Sequence, residues 1–207
     1  VVPSTLRALQ QFVAEHRARF SLPVLGITGS NGKTIVKEWL AQLLSPDLPL
    51  AVSPKSFNSQ LGVPLSVWQL NASHAMGIFE AGISRPHEME YLQPIIQPTH
   101  GIFTNIGTAH DEGFRSQKQK ITEKLRLFTK AQFLLYRTDY SSMDEEVRLI
   151  LRSVNPPLKT LTWATHTTAD VPVTWEMEAN ETHLTICWRE ETLRFRSAFR
   201  DEASLEN

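Results

Sequence analysis

The chain has 207 residues, of which 41% are hydrophobic and 21% charged, and its formal net charge at pH 7 is −1. This is the composition of a globular protein long enough to bury a substantial core, and it excludes the basic surplus that favours nucleic acid or an anionic membrane surface. The single cysteine, Cys187, excludes an internal disulfide and any multi-cysteine metal site. The sequence shows no signal peptide or membrane-spanning run, so small-molecule partners and a cytoplasmic location are expected.

The first predicted element is a helix over residues 4–20, in which apolar side chains such as Leu6 and Val13 recur on one face. No strand precedes this helix, and it leads directly into a predicted strand. We therefore interpret residues 1–22 as a helix and linker from an N-terminal domain outside this sequence. Residues 23–207 are interpreted as the domain that carries the function.

A strand, a glycine-rich turn and a helix follow. Residues 23–25 are apolar, residues 26–34 read G-I-T-G-S-N-G-K-T, and a helical pattern runs from residue 35 to residue 44. In such a turn the backbone N–H groups and the helix N-terminus attract an anion, and Lys33 adds a full positive charge. Thr34 is placed to offer its hydroxyl to a Mg²⁺ ion that also binds nucleotide phosphates. The segment therefore predicts a phosphate site for ATP or GTP. Its residues are Thr28, Gly29, Ser30, Asn31, Gly32, Lys33 and Thr34.

This turn departs from the general P-loop pattern. The pattern G-x-x-x-x-G-K-[ST] requires glycine at position 27, where this chain has Ile27. The chain has instead the narrower variant T-G-x-N-G-K-T. The alternative is a structural turn with an incidental lysine, but such a turn would rarely supply Gly-Lys-Thr between a strand and an amphipathic helix.

Two more apolar runs, residues 48–52 and 75–83, predict buried parallel strands. The second run contains Glu80, whose carboxylate is costly to bury unless it meets a cation or a hydrogen-bond donor. Because the carboxyl ends of parallel strands form the ligand crevice of an open α/β sheet, we expect Glu80 beside the phosphate site as a Mg²⁺ ligand. The alternative is a solvated glutamate at a strand end. Asn58 lies between the two runs in a polar segment that composition alone assigns to an ordinary loop.

Residues 101–106 predict the next strand, and the polar, glycine-rich segment 107–114 follows it at the same edge of the sheet. His110 in this segment can ligate a metal or contact phosphate. The alternative is exposure to solvent, as is common for a lone histidine in a loop.

The helix predicted over residues 116–129 has a buried stripe that includes Ile121 and Leu125. At ~100° per residue, Lys124 lies about 60° from Ile121, on the shoulder of that stripe. Burial would favour the neutral amine, which reacts with CO₂ to form a carbamate, an anion that can bind a metal. The pattern by itself favours a lysine whose ammonium group extends to solvent.

Strand and helix patterns alternate up to residue 163, which predicts an α/β fold of the P-loop type: a mostly parallel sheet with helices on both faces. Residues 164–199 contain three runs of alternating apolar and polar residues separated by short polar turns. These runs predict a small antiparallel β-meander. Residues 204–207 have the pattern of the first turn of a helix, and a C-terminal domain is expected beyond them.

Five motifs of this chain, taken in order, resemble those of the Mur ligase family. They are T-G-S-N-G-K-T (28–34), Asn58 with G-V-P (62–64), F-E-A-G (79–82), N-I-G-T-A-H (105–110) with G-F (113–114), and E-K-L-R-L-F (123–128). The resemblance is to the central ATPase domain, most closely in the MurF-like subgroup and in the form that some bacteria fuse to an alanine racemase.

The resemblance implies an ATP-dependent amide ligase of peptidoglycan precursor synthesis. ATP phosphorylates the carboxylate of a UDP-muramoyl tripeptide, and the amine of D-alanyl-D-alanine then displaces phosphate from the acyl phosphate. Two Mg²⁺ ions are implied, one at Thr34 and Glu80 and the other at His110 and carbamylated Lys124. Lys33, Lys124 and His110 are implied as catalytic residues.

The same resemblance adds Asn58 and Asn207 to the nucleotide-binding residues. It implies pyridoxal phosphate only if a racemase domain follows. Because the family works with three domains, this chain alone is expected to be a monomer that binds Mg·ATP weakly and does not ligate. Two alternatives stay open: a folylpolyglutamate-synthetase-like ligase with a different acceptor, and a non-catalytic nucleotide-binding module.

Overall fold

The computed structural model describes residues 1–107, 111–152 and 158–207. The strands are β1 (Val24–Thr28), β2 (Leu50–Val52), β3 (Met76–Glu80), β4 (His100–Phe103), β5 (Phe133–Arg137), β6 (Lys159–Ala164), β7 (Val171–Met177), β8 (Thr182–Trp188) and β9 (Glu191–Ser197). The helices are α1 (Thr5–Arg17), α2 (Lys33–Leu44), α3 (Gly62–Val67), α4 (Met89–Ile96), α5 (Gln117–Leu125), α6 (Ser141–Leu151) and α7 (Glu202–Glu206), with 3₁₀ turns at Asp111–Gly113 and Arg126–Phe128.

The strands in the described part of the chain form one sheet, in the order β2-β3-β1-β4-β5-β6-β7-β8-β9. Neighbouring strands are parallel from β2 to β7, and the pairs β7–β8 and β8–β9 are antiparallel. The predicted fold, a mostly parallel sheet followed by an antiparallel meander, is confirmed. The meander continues the main sheet, because Trp163 and Ala164 of β6 pair in parallel with Val171 and Pro172 of β7.

Helices cover both faces of the sheet, as predicted, but unequally. Along β1, Val24 packs into the larger core with α1, α3, α4, α5 and α6, whereas Leu25 and Ile27 pack with α2 on the other face. This alternation follows from the two-residue repeat of a strand. The helix that begins at the phosphate turn is therefore fixed to its own strand by side chains of that strand.

Helix α1 packs on the larger core. Its Ser4 cap accepts a hydrogen bond from the N–H of Arg7 (3.3 Å), and Val13 is fully buried in the larger core. The buried Arg17 guanidinium donates through Nε to the carbonyl of Ile96 at the end of α4 (2.9 Å). This packing on α4 holds the helix against the core, and the assignment of residues 1–22 to an N-terminal domain stays a prediction.

The position of β1 determines where a ligand can bind. The chain runs from β1 out to β2, returns to β3 on one side of β1, and then crosses to β4 on the other side. Ligands of open α/β sheets bind where the strand order reverses, beyond the carboxyl ends of the strands. Here those ends are Thr28, Glu80 and Phe103. No helix in the described ranges combines the length and the apolar composition needed to cross a bilayer.

Candidate phosphate and metal site

The turn between β1 and α2 depends on two glycines with positive φ, Gly29 (152°) and Gly32 (77°). A Cβ atom on Gly29 would lie 1.9 Å from Thr104 Oγ1, and one on Gly32 would lie 1.8 Å from Asn207 Oδ1. Gly32 is the N-cap of α2 and provides no side-chain cap. The first N–H groups of α2 therefore have no intrahelical acceptor, and the positive end of the helix dipole faces the same space.

The end of β4 holds this turn in shape. The side-chain Oδ1 of Asn105 accepts a hydrogen bond from the N–H of Asn31 (2.9 Å). The backbone carbonyl of Asn105 accepts one from the N–H of Ser30 (3.0 Å). Thr104 Oγ1 donates to the carbonyl of Asn31 (2.6 Å). The buried Thr28 hydroxyl donates to the carbonyl of Ala81 (2.9 Å), so its side chain secures β1 to the segment after β3.

Glu80 lies beside the turn with its side chain fully buried. Thr34 Oγ1 lies 3.2 and 3.0 Å from the two carboxylate oxygens, and Asn58 Nδ2 donates to Oε2 over 3.2 Å. The structure thus brings Glu80, Thr34 and Asn58 together, as predicted. The alternative of a solvated glutamate is wrong. Asn58 lies in a loop, as composition predicts, and its half-buried side chain reaches Glu80.

A second cation near Glu80 was not predicted. Lys37 is fully buried, and its ammonium group lies 3.4 Å from Glu80 Oε1. It also donates to the carbonyl of Ser53 (2.7 Å) and to that of Lys55. The only signal in the sequence was a lysine three positions after Thr34, which places both on one side of α2.

Three lysines converge on the opposite side of the turn. Lys33 Nζ donates to the carbonyls of Gly29 (2.9 Å) and Ser30 (3.0 Å), and Lys124 Nζ donates to the same carbonyl of Gly29 (2.9 Å). Lys120, also buried and not singled out in the sequence, donates to the carbonyl of Gly107.

Lys124 is 1% exposed, so the expectation that its ammonium group extends to solvent is wrong. Burial, and then the charges of Lys33 and Lys120, lower the pKa of Lys124 to about 7. Burial also lowers the pKa of Lys33, as does Lys120 to a smaller extent, while the Glu80 carboxylate opposes the shift. Near neutral pH the Lys124 side chain therefore contains a large fraction of neutral amine.

The last two predicted residues have different outcomes. His110 lies outside the described residues. Asn207 lies against Gly32, and its Nδ2 donates to the carbonyl of Ala203 (2.8 Å). Its Oδ1 atom is buried and has no hydrogen-bond partner among the described residues. A buried acceptor without a donor is unfavourable, and a ligand bound at the turn can supply the donor.

A cleft of about 370 Å³ connects Lys33 and Lys124 with the loops that follow β2 and β3. Its other polar lining includes Asn58, Ser84 and Glu88. Two lysines at one end of a cleft that adjoins a phosphate turn provide a place where a second anion, such as a carboxylate, can approach the terminal phosphate.

The fold and the geometry of the turn define a P-loop-type α/β domain. Residues 27–207 match the protein family described as Mur ligase middle domain. The chain therefore belongs to the Mur ligase family, of which it carries the middle domain.

Comparisons with individual proteins show which members of the family the chain is similar to. The chain is 38% identical over 154 residues to the UDP-N-acetylmuramoyl-tripeptide--D-alanyl-D-alanine ligase of Treponema pallidum (strain Nichols), an alignment that covers 74% of this chain and 33% of that protein. The chain thus spans about a third of the length of this curated relative. A crystal structure of MurF from Acinetobacter baumannii superposes on this chain with a TM-score of 0.87 and 26% identity. The superposition covers all of this chain and 45% of the MurF chain.

Two more distant structures share the fold alone. MurF ligase from Thermotoga maritima, solved in complex with ADP, has a TM-score of 0.84 at 23% identity and covers all of this chain and 48% of its own. An FPGS–AMPPCP–folate complex has a TM-score of 0.69 at 10% identity over 98% of this chain and 60% of its own. The folylpolyglutamate-synthetase-like alternative is therefore the more distant one.

Proposed function

We propose that this chain is the nucleotide-binding middle domain of an ATP-dependent ligase that joins D-alanyl-D-alanine to a UDP-N-acetylmuramoyl tripeptide. Family membership and the name of the Treponema relative support the reaction class. The observation that carries the proposal is the convergence of a buried carboxylate, Glu80, with Thr34 at one side of the phosphate turn and of Lys33 with Lys124 at the other. Simple nucleotide hydrolysis does not require a second lysine beside a cleft that can admit a carboxylate substrate.

Thr34 and Glu80 fit a Mg²⁺ ion, because a hydroxyl and a carboxylate are the hard oxygen ligands that Mg²⁺ takes beside nucleotide phosphates. When bound, the metal supplies positive charge that offsets the repulsion between the phosphates and an attacking carboxylate. The proposed second Mg²⁺ site consists of His110 and Lys124 as its carbamate. The low pKa of Lys124 supports carbamate formation, since only a neutral amine reacts with CO₂.

The proposed reaction has two steps. A carboxylate oxygen of the tripeptide attacks the γ-phosphorus of ATP and ADP leaves, which gives an acyl phosphate; the amine of D-alanyl-D-alanine then attacks the acyl carbon and phosphate leaves. The N–H groups at the start of α2 and the Lys33 ammonium bind the phosphates and stabilise the charge that moves onto ADP. The Lys33 ammonium also faces the cleft in which the carboxylate approaches, Lys124 contributes as the carbamate of the second metal site, and Asn207 accepts a hydrogen bond from the nucleotide base.

Several finer points belong to the same proposal. We infer a cytoplasmic, monomeric domain whose UDP-substrate and amine-binding partners are neighbouring domains of a longer ligase. The assignment to the form fused to an alanine racemase rests on the residues found in the motifs. Pyridoxal phosphate would serve only such a further domain.

The test is phosphate release by the complete ligase. Release with ATP is expected to require both UDP-muramoyl tripeptide and D-alanyl-D-alanine, and folate with glutamate should not replace them. Release with folate and glutamate would favour the folylpolyglutamate-synthetase-like alternative. Absence of phosphate release with either substrate pair, despite nucleotide binding, would favour a non-catalytic module.

A further inference from the structure

Lys37 connects three separate segments through a single buried ammonium group. The group contacts Glu80 at the end of β3 (3.4 Å) and the carbonyls of Ser53 and Lys55 after β2, while the residue itself lies on α2. Lys55 has a φ of 49°, a left-handed conformation uncommon for a residue other than glycine. The segment that leads to Asn58 is thus fixed to the same cation as Glu80.

The charges around Glu80 nearly cancel. The Lys37 and Glu80 side chains both have 0% exposure, so their attraction is only weakly screened by water. Lys37 also contacts Glu38 (3.0 Å), but that carboxylate is 49% exposed and its charge is screened by solvent. Lys33 is the other nearby cation, and its ammonium group is directed to the carbonyls of Gly29 and Ser30.

We propose that Lys37 is a positioning residue that neutralises Glu80, so that a divalent cation binds there with nucleotide phosphates and not by itself. This inference rests on the proposed function. An unpaired buried carboxylate would attract a free divalent cation strongly, whereas a carboxylate paired with Lys37 attracts it little until phosphates add negative charge. The metal therefore enters the site together with its nucleotide, and the empty turn does not trap free cations.

Lys37→Met separates this role from a purely structural one. Binding of Mn²⁺, the probe for Mg²⁺, is measured by electron paramagnetic resonance with and without ADP. Without ADP, the Lys37→Met chain is expected to bind Mn²⁺ about tenfold more tightly than the wild type, because Glu80 loses its compensating charge. Loss of packing alone would weaken the binding. Equal or weaker Mn²⁺ binding by the variant would overturn the inference.

Lys130→Met is the matched control, since it removes the same charge from an exposed side chain outside the site. It should leave Mn²⁺ affinity within about twofold of the wild type. Should Lys37→Met not fold, the double variant Lys37→Met/Glu80→Gln is compared by thermal unfolding. Recovery of folding supports the pairing of the two charges, and failure of both variants to fold contradicts it.

Mn²⁺·ADP binding by the wild-type chain distinguishes a failure of this inference from a failure of the proposed function. Absence of Mn²⁺·ADP binding by the wild type would count against the nucleotide site itself. Normal Mn²⁺·ADP binding by the wild type, with no gain for Lys37→Met, would count against the role of Lys37 alone.

Discussion

Lys33 and Lys124 donate hydrogen bonds to one and the same acceptor, the carbonyl oxygen of Gly29, each over 2.9 Å. The two residues come from helices far apart in sequence, α2 and α5. Like charges held this close repel each other, and burial increases that repulsion. The arrangement becomes favourable when an anion lies between them or when one of the amines becomes neutral or anionic. A bound nucleotide phosphate would satisfy the first condition, and the proposed Lys124 carbamate would satisfy the second.

The first prediction concerns Lys33. Lys33→Ala removes the charge that spans the phosphate turn, and we expect the affinity for Mg·ATP to fall by about tenfold or more. Isothermal titration calorimetry measures the change. The control is Lys130→Ala, which removes an exposed lysine. Unchanged ATP affinity in Lys33→Ala would show that the turn does not bind phosphate.

The second prediction concerns stability and pH. The folded-state pKa of Lys124 is about 7, below the usual lysine value of 10.5, so above pH 7 the unfolded chain binds more protons at this residue than the folded chain. The contribution of Lys124 to stability therefore rises with pH, by about 2 kcal/mol between about pH 7 and about pH 9, and reaches its limit near the unfolded pKa.

Urea unfolding of the wild type and of Lys124→Met at both pH values isolates this contribution. The variant should be relatively more stable at the lower pH, and its advantage should shrink at the higher pH. A constant difference between the two proteins would mean that Lys124 titrates normally in the folded chain.

The third prediction concerns the carbamate. In the complete ligase, Lys124→Ala should lose most of its activity, because the anion proposed to bind the second Mg²⁺ is lost. A short carboxylic acid such as acetate can enter the space left by the side chain and restore part of the activity. Chloride at the same ionic strength is the control. Full activity of the variant without acetate would remove Lys124 from the catalytic residues.

The sequence predicted one half of this site better than the other. Thr34, Glu80 and the glycine turn were predictable because local pattern and parallel topology place strand ends and helix starts at one edge of a sheet. The buried partners of the turn were not, because their contacts are with distant backbone atoms. Lys37 meets the carbonyls of residues 53 and 55, and Asn105 meets the backbone of residues 30 and 31.

Lys124 shows the limit of periodicity most clearly. Its position on the shoulder of the α5 stripe is compatible with an exposed or a buried ammonium group, and only the packing of α5 against the turn decides between them. The same holds for Lys120, which periodicity treats as an ordinary helical lysine. Buried polar residues of this kind are found through their partners in three dimensions, whereas apolar stripes are readable from spacing alone.

The fourth prediction concerns Asn207, whose buried Oδ1 lies against Gly32 and receives no hydrogen bond from the part of the chain that the structure describes. An adenine amino group can supply that donor, whereas guanine presents a carbonyl oxygen at the corresponding position. Asn207→Ala should therefore weaken ATP binding by about fivefold to tenfold and leave GTP binding nearly unchanged. Competition of ATP and GTP against a fluorescent ADP analogue measures both affinities, with Asn71→Ala, an exposed asparagine, as the control. An equal loss for both nucleotides would show that Asn207 supports the turn rather than reads the base.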